Sequence, residues 1–453
     1  MNRMISCLGD SHPDSLSSIY NLAQHYRERG KFDEAEQLLT KCLERNRSNL
    51  GENHPDTLRS MDSLGILYDA QSRYLEAEKL FEICVKGRKQ VLGEMHPLTA
   101  DSINNLATVY QHLGKYKEAE LHYTNYLAIL TSSLGENHPK TLSLMNNLGR
   151  SYHEQGLYDK AFPLYESCLA IRRIKLGEDH PNTLNSMNNL ASLFRSQGKY
   201  DEAESLFVEC FERRSRVLGD EHRDTLTTIT DLGALYKRQG NFTKAEEYLQ
   251  RSFQIARRSL GEWHDDTLTI EENLASLYER IGKYDEAEAM IRLCVEGRKS
   301  TLGESHQSTL KTMNNLATLY YGKGDVERAI TVLTECYERS KAALGLSHRD
   351  TLAAMTNLAS LYYNEGKNEE AEPLYVECLE IRKATLGEDH ADTLASMNNL
   401  ACLYCNQGKL NEAILLLIDC LTRSKQVLGD SHPTTISSTK LLVALYNSSN
   451  KES

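Results

Sequence analysis

The residues best suited to chemistry in this chain are histidines, cysteines and asparagines, and each kind recurs at one interval. Eleven of the fifteen histidines, from His12 through His54 and His96 to His432, follow one another every 42 residues, each closing a Leu-Gly-x-x-His sequence. Histidines beside carboxylates could bind zinc or move protons. Zinc, however, needs several ligands at about 2.0–2.3 Å from one ion. One histidine per unit, with helices packed about 8–10 Å apart, does not converge on a single ion. Each histidine is expected to brace its own loop against the next helix.

Eight of the eleven cysteines (Cys42, Cys84, Cys168, Cys210, Cys294, Cys336, Cys378 and Cys420) share one repeat position, which Tyr126 and Ser252 fill in the other two units. Equivalent positions in a stack do not pair, and free cysteine behaves as a small buried hydrophobe. They read as core thiols in a reducing compartment. Cys402-x-x-Cys405 has a dithiol spacing but lies inside a helical segment with no strand before it. There is no phosphate-cradling glycine loop, nucleophile elbow or kinase signature. The expectation is a non-enzymatic chain with no catalytic residue, cofactor or metal.

A third column is asparagine in eight of ten units: Asn21, Asn105, Asn147, Asn189, Asn273, Asn315, Asn357 and Asn399, with Ser63 and Asp231 as exceptions. Mid-helix asparagine is worse than alanine by about 0.5 kcal/mol, so something offsets the choice. One reading is a ladder of amides that donate to and accept from an extended peptide backbone. The other is that each amide bonds a neighbouring repeat. Nearby columns vary. Arg150, Arg195, Lys237, Arg238 and Arg280 concentrate positive charge in the middle repeats beside His153, among the acids Glu154, Asp231, Glu272 and Glu279. A site for a short acidic, aromatic-containing segment around repeats four to seven is one expectation; a solvated mixed-charge face is the other.

The elements that carry these columns follow from the period. Fixed repeats of 20–50 residues mark stacked-repeat proteins, whose function lies on the surface of the stack or at its ends. In residues 134–175, Leu134-Gly135 closes a helix with a left-handed glycine, and Pro139 suits the first turn of the next. Leu142, Met145, Leu148, Gly149 and Tyr152 share one helical face. Gly156 ends helix A, and Asp159 is the expected N-cap of helix B, which would make Pro163 its fourth residue. Alanine fills one position in all ten units (Ala35 to Ala413), opposite an unbroken aromatic column from Tyr26 to Tyr404. Six of ten methionines, Met145 among them, share another column and read as core.

Met145-x-x-Leu148-Gly149-x-x-Tyr152 followed by Ala161-x-x-x-Tyr165 resembles the tetratricopeptide (TPR) signature. The 42-residue unit with Leu-Gly-Glu-Asp-His-Pro and Met-Asn-Asn-Leu-Ala is similar to the kinesin light chain class of that family, which nephrocystin-3 shares. The resemblance implies an all-α, right-handed α-solenoid of helix–turn–helix repeats, with helix A lining a concave groove and the groove asparagines touching peptide. It implies an interaction scaffold for protein or peptide segments or partner helices, cargo adaptor work with a microtubule motor, and association with the kinesin heavy chain. The N-terminal heptads with which that class docks on its motor are lacking. A sensor or regulatory arm of a larger ATPase or signalling protein is the alternative.

Residues 1–7 read as the remnant of a preceding helix B, 8–427 as ten repeats, 428–447 as a terminal half repeat and 448–453 as a tail. A net charge of −12 and pI near 5.7 disfavour nucleic acid and anionic membrane, which need a basic footprint. The longest apolar run, Ala413 to Ile418, is far short of the roughly 18 residues of a membrane span, and the first residues lack the apolar core of a signal peptide. A cytoplasmic location, with cytoskeletal association by resemblance, is expected.

Overall fold

The computed structural model describes residues 13–28, 32–71, 73–113, 115–430 and 433–449. Among them are twenty-one α-helices and no strand. The odd-numbered helices are the A helices: α1 (Pro13–Glu28), α3 (Pro55–Ala70), α5 (Pro97–His112), α7 (Pro139–Glu154), α9 (Pro181–Ser196), α11 (Arg223–Gln239), α13 (Asp265–Arg280), α15 (Gln307–Gly322), α17 (Arg349–Asn364), α19 (Ala391–Asn406) and α21 (Pro433–Ser449). The even-numbered B helices are α2 (Phe32–Leu50), α4 (Tyr74–Val91), α6 (Tyr116–Leu134), α8 (Tyr158–Leu176), α10 (Tyr200–Leu218), α12 (Phe242–Ser259), α14 (Tyr284–Thr301), α16 (Val326–Leu344), α18 (Asn368–Leu386) and α20 (Leu410–Val427). The chain forms two compact units, residues 1–154 with 159–178, and residues 155–158 with 179–453. Each is a succession of A–B hairpins. The remnant expected at residues 1–7, with Leu8 and His12, lies outside the described residues, as does His432.

The histidines have a definite task. The imidazole Nδ1 of His54, His96, His138, His180, His222, His264, His306, His348 and His390 accepts the backbone N–H two residues on, at 3.1–3.2 Å. They are the N-caps of the A helices and satisfy an N–H that the helix cannot. The hydroxyls of Thr57, Thr99, Thr141, Thr309 and Thr393 tie the same loop by donating to the glycine carbonyl six residues earlier, at 2.8–2.9 Å.

Two expectations about helix ends are corrected. Gly135 has φ 86° but ψ 162°, an extended conformation open to glycine alone rather than the left-handed helical one. That role falls to Gly240, at φ 79° and ψ 7°. Helix α8 begins at Tyr158, so Asp159 lies in its first turn and is not the N-cap. An acid there still favours the positive end of the helix dipole. Pro163 is therefore the sixth residue of the helix, inside it, where its missing N–H deprives the Asp159 carbonyl of a partner.

All ten alanines of the Ala35–Ala413 column are fully buried. The neighbouring small column is equally constrained: a Cβ on Gly149 would stand 2.9 Å from the Tyr165 ring. Along the cysteine column the thiols of Cys84, Cys168, Cys210, Cys294, Cys336 and Cys420 donate to the carbonyl of the leucine 26 residues earlier, at 3.2–3.5 Å. Ser252 makes the same bond, to Leu226 O. Burial pushes the thiols of Cys42, Cys168 and Cys336 up to about 11, so they are not nucleophiles.

Candidate functional site: the polar face of the A helices

Two buried features had no counterpart in the periodic reading. Arg88, Arg172, Arg214, Arg298 and Arg382 are 2–9% exposed and occupy one column of the B helices. Arg88 donates to Leu98 O and Ser102 Oγ at 2.8 and 2.6 Å, Arg214 to Asp224 O and Thr228 Oγ1 at 2.7 Å each, and Arg382 to Ser396 Oγ at 2.6 Å. Each of these three arginines thus fastens a B helix to the first turns of the next A helix and fixes where that helix's polar face lies. Asn46 does the same in α2, through Ser60 Oγ at 2.9 Å. The second feature is Glu271. It is 7% exposed in the column where Met61, Met187, Met313, Met355 and Met397 are buried.

The expected asparagines are half-buried on the A helices, apart from the exposed Asn21. Three of them reach the preceding A helix. Asn147 donates to Asn104 Oδ1 at 2.8 Å, Asn357 to Asn314 Oδ1 at 2.9 Å and Asn315 to Glu272 Oε1 at 3.4 Å. Asn273 instead donates to Thr269 O within its own helix, at 3.1 Å. Asn105 bonds Asp62; Asn189 has a partner as well, and Asn399 is half-buried. Asn147, Asn315 and Asn357 thus tie neighbouring A helices while remaining half-buried at the surface.

The basic residues divide between the units. Arg150, exposed, belongs to the first; Arg195, Lys237, Arg238 and Arg280 belong to the second. Arg195 is committed to structure. It pairs with Asp231 at 2.8 Å, with the two side chains only 19% and 20% exposed, and its guanidinium lies 5.5 Å from the centre of the Phe207 ring. Lys237 Nζ donates to Ser276 Oγ at 3.1 Å. Burial holds its ammonium below the usual lysine value, and Arg238 and Arg280 push the same way, against the pull of Glu279. Burial raises the Glu279 carboxyl, opposed by Lys237. Arg238 and Arg280 are exposed. The face from α9 to α13 thus presents two open guanidiniums over a half-buried ammonium, a place where an anion would relieve like-charge repulsion.

Beside it, α13 and α15 enclose a recess of about 300 Å³, whose lining includes Glu272, Asn273, Ser276, Glu279, Lys311 and Asn315. Cys402 and Cys405 are half-buried on α19, and burial raises both thiols. No group of three or more potential metal ligands occurs among the described residues. No described helix is long and apolar enough to cross a membrane.

Comparison with known proteins agrees with this architecture. The tetratricopeptide repeat model matches residues 14–90, 70–132, 98–174, 141–214, 189–258, 266–342 and 350–426. Among solved structures, the nearly identical, kinesin light chain TPR-like repeats of Podosopora anserina are 30% identical, with 45% of this chain and 97% of that one covered and a TM-score of 0.41. BtubC (BKLC) from P. vanneervenii is 24% identical over 54% of this chain and 92% of its own, with a TM-score of 0.40. A Rap protein complexed with competence and sporulation factor is 15% identical over 82% of this chain and 99% of its own, at a TM-score of 0.52, a likeness of fold. No curated protein matches the sequence. With the repeat model matched along most of its length, the chain belongs to the tetratricopeptide repeat family.

Proposed function

We propose that the chain is a non-enzymatic interaction scaffold that holds an extended acidic segment of another protein along the A helices α9 to α13. The observation that carries this reading is the exposed Arg238 and Arg280 at equivalent positions of α11 and α13, beside a half-buried Lys237 that bonds Ser276 of α13 at 3.1 Å. An extended segment suits such a face because its backbone can bond half-buried amides while its side chains select. Adaptor work beside a microtubule motor, with association to the kinesin heavy chain, is the more specific form of the proposal. It rests on the resemblance of the 42-residue unit, and so does a cytoplasmic, cytoskeleton-associated location.

The test uses a fluorescein-labelled, capped octapeptide of aspartate, glutamate and phenylalanine, titrated by anisotropy against the wild-type chain and Arg238→Glu/Arg280→Glu. Both arginines are exposed, so the variant keeps the fold. Binding that weakens at least tenfold in the variant and falls with added salt supports the proposal. Equal affinity for both proteins refutes it.

A further inference from the structure

Near their C-terminal ends, successive A helices bond one another through residues 43 positions apart. Asp69 and His112 meet at 2.9 Å, Gln111 donates to Glu154, Asn364 donates to the Tyr321 hydroxyl at 3.0 Å, and Tyr363 bonds Asn406. These pairs occupy the same two repeat positions. The second unit departs from the pattern at its start. There the pair is Arg195 with Arg238 and then Lys237 with Arg280, like charges at successive seams. The next pair is Glu279 with Gly322, which has no side chain to answer with; a Cβ on Gly322 would stand 3.6 Å from Glu279 Oε1. Asp231 neutralises Arg195. Among the described residues, Lys237, Arg238 and Arg280 form no ion pair.

We infer that the seam between α11 and α13 is a subsite for a phosphorylated side chain, a phosphoserine or phosphothreonine of the bound segment, held by Lys237, Arg238 and Arg280. Lys237 Nζ donates to Ser276 Oγ on α13 at 3.1 Å. Ser276 and Arg280 are four residues apart on that helix and so are neighbours on one face. The ammonium is thus held between α11, which carries Arg238, and α13, which carries Arg280. It keeps two further N–H donors, and each exposed guanidinium offers a fork of them. Three cations beside one carboxylate, Glu279, leave two positive charges. A phosphomonoester matches them, with a charge of about −1.5 to −2 at neutral pH and three oxygens that can each accept from a different side chain. A single carboxylate brings one charge and two oxygens. The phosphate supplies between α11 and α13 the bond that other seams make with their own side chains. The proposal rests on the interaction-scaffold reading for the source of the phosphate, and it adds that modification of the segment strengthens its binding.

The probe is a fluorescein-labelled, capped octapeptide of aspartate, glutamate and phenylalanine carrying one phosphoserine, compared by anisotropy with the peptides that have serine or glutamate in its place. The phosphoserine peptide is expected to bind the wild-type chain at least tenfold more tightly than the serine peptide and several-fold more tightly than the glutamate peptide. That preference should fall below about twofold in Lys237→Gln and in Arg280→Gln, with thermal melts showing that both variants fold. Arg258→Gln, which removes an exposed charge from the B helix α12, should leave the preference intact. Equal affinity of the phosphoserine and serine peptides overturns the inference and leaves the scaffold reading standing, whereas failure of all three peptides to bind removes both. A preference undiminished in Lys237→Gln and Arg280→Gln overturns the assignment to this seam. Inorganic phosphate binding as tightly as the phosphoserine peptide would overturn the assignment to a side chain of a segment.

Discussion

Arg298 Nη1 lies 2.6 Å from Glu272 Oε2, a charge pair with side chains only 3% and 11% exposed that joins α14 to α13. The same guanidinium meets Asp265 at 2.8 Å and donates to Thr269 Oγ1 at 2.7 Å and to the hydroxyl of Thr312 on α15. One side chain therefore ties three helices around the recess. Removing one partner of a buried pair leaves the other uncompensated, which costs about 3–5 kcal/mol. Arg298→Met should lower the unfolding free energy by that order, and Arg298→Met with Glu272→Met should recover much of the loss. With Glu272→Met alone completing the cycle, a double-variant loss equal to the sum of the two single losses would show that the pair is not coupled.

Glu271 gives the stack a pH dependence. Burial raises its carboxyl above the ordinary value. The bond from the Cys294 thiol (3.5 Å) and Arg257 oppose the rise, and the charges of Glu262 and Glu272 add to it. Below the unfolded value, about 4.3, both states hold the proton and the carboxyl imposes no charge penalty. As pH climbs from there through the raised folded value, the unfolded chain ionises first and stability is lost. Glu271→Met restores the apolar column, so its advantage over wild type should grow with pH, to about 1–3 kcal/mol near pH 8. Thermal melts from pH 4 to 8 read the difference, and a pH-independent gap would contradict the argument.

The histidine caps should behave as caps. His222 is exposed and contacts the Asp224 N–H at 3.1 Å. His222→Ala should cost about 1 kcal/mol and speed amide exchange in the first turn of α11, while His222→Asn, a good N-cap, should be close to neutral. Equal effects of the two substitutions would point to a packing role.

Thiol reactivity should follow burial. Cys84, Cys210 and Cys420 are fully buried, whereas Cys402 and Cys405 are half-buried. Alkylation of the native protein followed by peptide mapping should modify Cys402 and Cys405 before the column cysteines. Prior labelling of Cys84 or Cys210 would mean that the hairpins open readily.

Much of the fold was legible because a repeated unit repeats its reasons. The alanine, aromatic and methionine columns state many times over which faces pack, and the His-Pro pair marks the start of helix A. The misses were of another kind. Glycine ψ and the first residue of α8 depend on local geometry that residue types do not specify. The Arg88, Arg172 and Arg214 column is not legible as buried, since arginine is seldom buried unless paired, and it becomes intelligible only with the hydroxyl and carbonyl partners of Arg88 and Arg214 in place. Glu271 interrupts the methionine column, and residue type alone gives no sign that its carboxyl is buried. In the candidate site, residue type could not tell Arg195, locked to Asp231, from Arg238 and Arg280, which are open.

The most direct test of the scaffold reading is to map where a bound segment lies. The acidic octapeptide with one phenylalanine replaced by benzoylphenylalanine is photo-crosslinked to the chain, and the adducts are located by mass spectrometry. The account predicts adducts on α9, α11 and α13, lost in Arg238→Glu/Arg280→Glu. Adducts concentrated on the outward apolar side chains of the B helices, such as the exposed Leu121, Ile174 and Leu415, and undiminished in that variant, would contradict it.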